Sequence, residues 1–292
     1  MARRAWFLVG GLLAALVHPH VVAADALRDV QDTTSSGGDS DSGSSSSSSS
    51  GGGYGSDDEQ GCGLLGEASC ESDDSLAFWA FAYTIGAPWT VPRIHFDDRS
   101  FGRYAAYPFA DGPGLLRRQP VNTVDTTRAV AIALDVESGY MLQGVVPAGL
   151  ALRVLLPYGL ELDGRFNGLS DVEEHPVEVA SAGTAHMTYR FAQGERYDFR
   201  TGFGVRAFAL DAPQIGFDVL YGIDSYLGRR GVWRIELHLG SAGNAFVGQA
   251  RSTVGMTFDR FEIYAGYDHT AYLSAESGAA LGGPIGGLRA WF

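Results

Sequence analysis

The chain has 292 residues, of which 45% are hydrophobic, and a formal net charge of −13. The charge is uneven, because residues 25–75 hold 12 acids and one arginine whereas the residues after 75 contribute only −4. The acidity therefore belongs to an N-terminal tail, and the rest of the chain has no charge excess that would favour nucleic acid as a partner. No later stretch approaches 18 consecutive apolar residues, which excludes a helical membrane span in the mature chain.

The first 24 residues are typical of a cleavable secretory signal peptide. Arg3 and Arg4 precede an apolar run over residues 5–17, and small residues follow at positions 22–26. The sequence therefore predicts export, with cleavage after residue 24 or after residue 26.

Residues 25–60 are rich in serine, glycine and aspartate, including seven consecutive serines at 44–50. Such a segment buries too little apolar surface to offset its ordering entropy, so it is predicted to be a disordered linker. Cys62 and Cys70 come next and are the only two cysteines. In an exported chain a pair of this kind most often forms a disulfide.

Residues 61–124 form an aromatic, proline-punctuated segment that is predicted to be a small cap or plug for the domain after it. Apolar and small residues alternate over 79–85, as in a strand. Four prolines then interrupt any long element: Pro88, Pro92, Pro108 and Pro113.

Residues 125–292 alternate between apolar and polar positions almost to the end. Over 195–210, for example, Tyr197, Phe199 and Phe203 alternate with Asp198 and Arg200. Ten such runs can be counted, an even number, with short connections after the even runs and longer ones at 139–149, 168–183 and 274–281. This pattern is typical of an antiparallel transmembrane β-barrel of about ten strands with both termini at the periplasmic rim. The runs are 127–137, 150–156, 159–167, 184–193, 196–210, 215–226, 232–240, 245–258, 261–273 and 283–292.

One face of these runs collects charges of both signs in near balance. A narrow barrel interior needs such a balance, because each buried charge must have a partner. His186 and His238 lie on the same face. The predicted lumen charge network consists of Arg153, Glu161, Asp163, Arg165, Arg190, Asp198, Arg200, Arg206, Asp218, Asp224, Arg234, Glu236, Arg251, Glu262, Asp268 and Arg289.

The opposite face is apolar and aromatic, including Phe191, Phe203, Trp233 and Ile263. A membrane barrel directs this face to lipid. A soluble barrel with the two faces exchanged would instead hold an apolar ligand, and the sequence leaves that alternative open.

The last ten residues, GPIGGLRAWF, resemble the closing strand of bacterial outer-membrane β-barrel proteins. YRFAQ at 189–193, FRTGFGVR at 199–206 and YAGYDH at 264–269 are similar to phrases of small uncharacterised Gram-negative barrel proteins of this kind. The resemblance implies outer-membrane lipid as surroundings. It also implies the barrel-assembly machinery as a partner, recognising a C-terminal signal at Leu288, Ala290 and Phe292. It implies no reaction.

No catalytic residue, cofactor or metal site is predicted. His269 beside Asp268, with Ser274 and Glu276 nearby, has the residue types of a lipid hydrolase, but alternation directs His269 away from Asp268. The predicted function is an outer-membrane barrel with a charge-filled lumen and a structural or interaction role. The alternatives are a narrow pore for small solutes, an outer-membrane lipid hydrolase or protease, and the soluble ligand-binding barrel.

Overall fold

The computed structural model describes residues 26–35, 86–94, 101–110, 112, 114–118, 130–172, 178–275 and 277–292. The chain divides into two compact units, one of residues 37–88 and the other of residues 1–36 and 89–292. The first unit lies almost wholly outside the described residues, as do the signal peptide, the proposed Cys62–Cys70 disulfide and most of the linker. The second unit contains every strand of the described ranges.

The described residues form a short hairpin and ten longer antiparallel strands, and the ten close into a barrel, which confirms the predicted fold class. The hairpin strands are β1 (Phe101–Tyr104) and β2 (Leu116–Arg118). The barrel strands are β3 (Ala131–Gly139), β4 (Val145–Leu155), β5 (Leu160–Asp171), β6 (Glu178–Gln193), β7 (Tyr197–Ala209), β8 (Pro213–Leu227), β9 (Gly231–Ala242), β10 (Ala245–Phe258), β11 (Phe261–Leu273) and β12 (Gly278–Trp291). Each barrel strand pairs with its neighbours in sequence, and β12 closes the ring on β3.

The closing register places Arg289 opposite Asp135 and Trp291 opposite Ala133. The backbones of Ile132 and Phe292 exchange two hydrogen bonds at the end of this seam, of 3.2 and 2.8 Å. Phe292 is therefore part of the ladder, which leaves the sheet without an open edge there.

The three connections expected to be long are mostly strand. β3 and β4 are separated only by residues 140–144, β5 and β6 by 172–177, and β11 and β12 by 274–277. The expected loops lack a regular apolar/polar alternation, and backbone pairing does not require that alternation to continue. The paired strands therefore extend beyond the segments that show apolar/polar alternation.

Helix α1 (Ala26–Ser35) departs from the expectation that residues 25–60 carry no secondary structure. Leu27, Val30, Thr33 and Thr34 recur at helical spacing and are all buried. The carbonyl of Thr34 accepts a 2.8 Å hydrogen bond from the backbone N–H of Asn244, and Ser277 donates to the Thr33 hydroxyl. The turns at 243–244 and 274–277 therefore hold α1 in one mouth of the barrel, called here the helix-capped end.

The other mouth is covered by the β1–β2 hairpin and is called the hairpin-capped end. Residues 86–94 form a helix of nine residues that includes Pro88 and Pro92, a short element in a segment where prolines were expected to interrupt long ones. The Trp89 ring contacts Tyr221 edge to face, with 5.7 Å between centroids. None of the helices in the described ranges is long and apolar enough to cross a bilayer.

Candidate functional site

The barrel interior is a stack of three layers. An apolar cluster fills the helix-capped end, a second apolar cluster fills the hairpin-capped end, and charged side chains occupy the space between them. Strand alternation directs these side chains inwards. In β9, for example, the inward side chains are Val232 near one end, Arg234, Glu236 and His238 in the middle, and Ala242 at the other end.

The structure places every residue of the predicted charge network inside the barrel. Each of the sixteen is at most 8% exposed, by whole residue or, for Arg165, by side chain. Charges this deeply buried are tolerated only when they are paired and hydrogen-bonded. The sixteen are Arg153, Glu161, Asp163, Arg165, Arg190, Asp198, Arg200, Arg206, Asp218, Asp224, Arg234, Glu236, Arg251, Glu262, Asp268 and Arg289.

The centre of the network is a square of two arginines and two acids. Arg153 donates to Asp224 at 3.0 Å and to Glu236 at 2.9 Å. Arg200 donates to the other oxygen of Asp224 at 2.8 Å and to Glu236 at 2.6 Å. Gly222 makes room for this square, because a Cβ there would lie 2.8 Å from the guanidinium carbon of Arg200. Four strands are thereby joined across the lumen by charge-assisted hydrogen bonds.

Two members of the network were missed from the sequence. Asp135 binds the Arg289 guanidinium, and Glu137 binds Arg251 and accepts a 3.0 Å hydrogen bond from the Tyr264 hydroxyl. The same apolar/polar alternation is present in β3. There the two acids alternate with Ile132, Leu134 and Val136, which are exposed on the outer face. With these two, the network holds ten carboxylates and eight guanidinium groups among the described residues.

At the hairpin-capped end, Tyr104 joins the network to the hairpin. Its hydroxyl donates to the carbonyl of Leu156 at 2.7 Å and accepts a hydrogen bond from Arg190. Burial raises the pKa of the Tyr104 hydroxyl, although Arg190 opposes the shift, so the group remains a donor at neutral pH. Arg190 also lies over the Tyr104 ring, 4.8 Å from its centroid.

Both mouths are sealed by apolar contacts. At the helix-capped end Leu27 and Val30 of α1, each fully buried, pack among Val145, Phe208 and Val247. At the hairpin-capped end the seal is formed by Tyr104, Leu115, Leu116, Ala131, Ala133, Leu155, Tyr226, Val232 and Trp291.

Little free volume remains between the seals. A cavity of about 60 Å³, bordered by Arg165, Arg206, Gln249 and Tyr272, is large enough for a few water molecules. The described part of the lumen is therefore packed rather than open.

His186, Asp218 and His238 form a distinct group within the network. His186 Nε2 and His238 Nδ1 each lie 2.8 Å from the same carboxylate oxygen of Asp218. The imidazole centroids are 5.2 Å apart, and all three residues are at most 4% exposed. Among the described side chains this is the group that brings three possible metal ligands together.

The outer face of the barrel is apolar. Phe166, Phe203, Phe217, Val254 and Ile263 are each more than half exposed. They belong to a continuous surface, here called the outer belt, because register pairs Phe203 with Met187 and Val219 on the neighbouring strands, which are also exposed.

Phe191 departs from the predicted outer face. It was expected to be exposed but is buried, because its ring packs against Phe199 and Tyr221 on the outer side of the sheet, and Tyr221 is in turn in contact with Trp89. The residues of the predicted C-terminal signal lie on the outer side of β12, with Leu288 and Phe292 more than half exposed and Ala290 half-buried.

The fold and its interior define a closed antiparallel β-barrel with a charge-filled core and an apolar exterior. No protein-family model and no curated protein matches the chain. Among solved structures it is similar to the N-terminal β-barrel domain of Pseudomonas aeruginosa OprF, at 11% sequence identity and a TM-score of 0.29, over 56% of this chain and 97% of that one.

Proposed function

We propose that this protein is an outer-membrane β-barrel whose packed interior serves a structural or interaction role rather than transport. The observation that carries the proposal is the inverted distribution of its residues: charged side chains fill the interior and large apolar side chains cover the exterior. A transmembrane barrel in lipid has this distribution, and a water-soluble barrel has the reverse.

The energetic argument concerns the outer belt. Phe203 and Phe217 are 66% and 60% exposed, and they are surrounded by other apolar side chains. Monomeric soluble proteins rarely expose a continuous apolar surface of this extent, because burying apolar area yields roughly 25 cal/mol per Å². A bilayer covers this belt without requiring a partner protein. The charged interior also disfavours the soluble alternative, which needs an apolar lumen for its ligand.

The packed interior favours a structural or interaction role over conduction. A pore needs a continuous water-filled path, whereas in the described part of the chain two apolar seals enclose a charged network that borders a cavity of about 60 Å³. Conduction would require both α1 and the hairpin to move and the arginine–carboxylate pairs to separate.

The proposal is tested by cell fractionation and then electrophoresis of the detergent extract with and without boiling. We expect the protein in the outer-membrane fraction, with a folded form that migrates differently until it is heated, because a closed barrel with paired interior charges resists detergent. Recovery from the soluble periplasmic fraction would contradict the membrane assignment, whereas membrane recovery without a heat-sensitive form would contradict the packed barrel.

The position of α1 gives a second, sharper prediction. Both ends of the barrel chain lie at the hairpin-capped end, which in the proposed orientation faces the periplasm, so the helix-capped end faces outwards. Residues 36–100 must then connect the two ends. Their extended reach, on the order of 200 Å, exceeds the strand length of about 43 Å. A polar segment crosses neither hydrocarbon nor a packed lumen, however, so the location of α1 directly tests the proposed orientation.

Asp32 is exposed on α1 and suits site-specific labelling. We expect D32C, in a chain with Cys62 and Cys70 replaced by serine, to react with a membrane-impermeant maleimide on intact cells. The matched control is R229C, in the exposed β8–β9 turn at the hairpin-capped end, which should react only after lysis. If D32C also reacts only after lysis while R229C behaves as expected, α1 does not occupy the outward mouth in the cell.

A further inference from the structure

The group formed by His186, Asp218 and His238 is not explained by the packing of arginine–carboxylate pairs. The three side chains come from β6, β8 and β9, so the group depends on the closure of the barrel and not on any local motif. Both imidazoles approach one oxygen of one carboxylate, and the two outer ring nitrogens, His186 Nδ1 and His238 Nε2, have no hydrogen-bond partner among the described residues.

Two neutral imidazoles that both donate to Asp218 leave two lone pairs buried without donors. These outer nitrogens are not the atoms that face Asp218. The atoms that converge are His186 Nε2, His238 Nδ1 and one Asp218 carboxylate oxygen, and they lie within 4.8 Å of one another.

We propose that His186, Asp218 and His238 bind a divalent transition-metal ion, with Zn²⁺ as the best fit. Two imidazole nitrogens and one carboxylate oxygen are ligands that Zn²⁺ prefers, with water completing a four-coordinate site. Ligand atoms of a tetrahedral zinc centre lie about 3.3 Å apart. The two 2.8 Å nitrogen–oxygen contacts would lengthen by about half an ångström, and the two imidazole nitrogens, which lie within 4.8 Å of each other, would turn towards a common point.

Arg206 is the feature that limits the affinity of this site. Its guanidinium contacts Asp218 at 3.2 Å, and a positive charge at that distance disfavours a nearby cation. Arg206 has a second partner, the Gln249 side-chain oxygen at 2.9 Å, which can hold it when the carboxylate turns to a metal. The cavity of about 60 Å³ borders Arg206, so there is space for water next to a residue that contacts Asp218.

The metal proposal does not depend on whether the outer belt faces lipid or water. Its test is therefore separate from the test of the membrane assignment. The full chain, with Cys62 and Cys70 replaced by serine to remove thiol ligands, is refolded in detergent with ZnSO₄, passed through a desalting column and analysed for bound zinc. We expect close to one equivalent in this background, and tetrahedral Co²⁺ absorption in the visible range when CoSO₄ replaces ZnSO₄.

The variants separate a metal site from a hydrogen-bonded cluster. H186Q and H238Q should each weaken Zn²⁺ binding at least tenfold, whereas R206Q should tighten it several-fold by removing the competing charge. The control is H269Q, because His269 is half-buried on β11 and outside the group. Less than a tenth of an equivalent of zinc in the correctly folded background protein would overturn the proposal, and so would an equal loss of zinc in H269Q. If the histidine variants do not fold, the background stoichiometry and the direction of the R206Q effect decide.

Discussion

Replacing Arg200 by leucine should destabilise the barrel by about 3–5 kcal/mol, the usual cost of removing one partner of a buried ion pair. Arg200 is 1% exposed and donates to Asp224 and Glu236 at 2.8 and 2.6 Å. Leucine leaves both carboxylates with fewer donors in a region without bulk water, and the desolvation of the carboxylates is then only partly compensated. Urea unfolding in detergent or lipid, monitored by tryptophan fluorescence, measures the change.

Two further variants make this test specific to the network. R229L removes an exposed arginine of the β8–β9 turn and should leave the urea midpoint nearly unchanged. The double variant R200L/E236Q also replaces the Glu236 carboxylate, which loses its Arg200 partner, by a neutral amide. The loss of stability should therefore be smaller than the sum of the two single losses. An unfolding midpoint for R200L equal to that of the unsubstituted protein would contradict a charge-packed interior.

Replacing Phe203 by arginine should destabilise the protein in lipid by about 2–4 kcal/mol, as expected for a charge near the bilayer midplane. Phe203 is the central residue of β7 and the side chain is 66% exposed on the outer belt. The substitution removes no interior contact, so its cost in stability reflects the lipid that surrounds the outer belt. Unfolding of the protein reconstituted in lipid vesicles measures this cost.

Tyr158 provides the matched control for Phe203. It is 92% exposed in the turn between β4 and β5, at the hairpin-capped end, and Y158R should have a small effect because it lies near the interface. If F203R costs no more than Y158R, the outer belt does not face hydrocarbon and the membrane assignment fails, whatever the state of the interior.

Alternation within one strand predicts which residues point inwards, but it does not predict contacts with distant segments. Arg200 and Glu236 were assigned to the interior from alternation alone, and the structure buries both. Asp135 and Glu137 were missed although the same rule reaches them. Phe191 was expected to be exposed but is buried, because aromatic rings of neighbouring segments cover it, and alternation within one strand does not predict contacts of that kind.

Alternation along the chain was sufficient to predict a barrel of about ten strands, their order and, for the strands after β3, which face is charged. Two-residue alternation is a local property, and neighbouring antiparallel strands need only short turns. The identity of each charge's partner, by contrast, depends on the closed barrel. Arg153 on β4 reaches Asp224 on β8 and Glu236 on β9, and Leu27 of α1 packs among residues more than a hundred positions away. The convergence of His186, Asp218 and His238 has the same origin. Contacts across a barrel depend on its curvature and on the register of every strand between the partners. No local sequence pattern determines these two properties together.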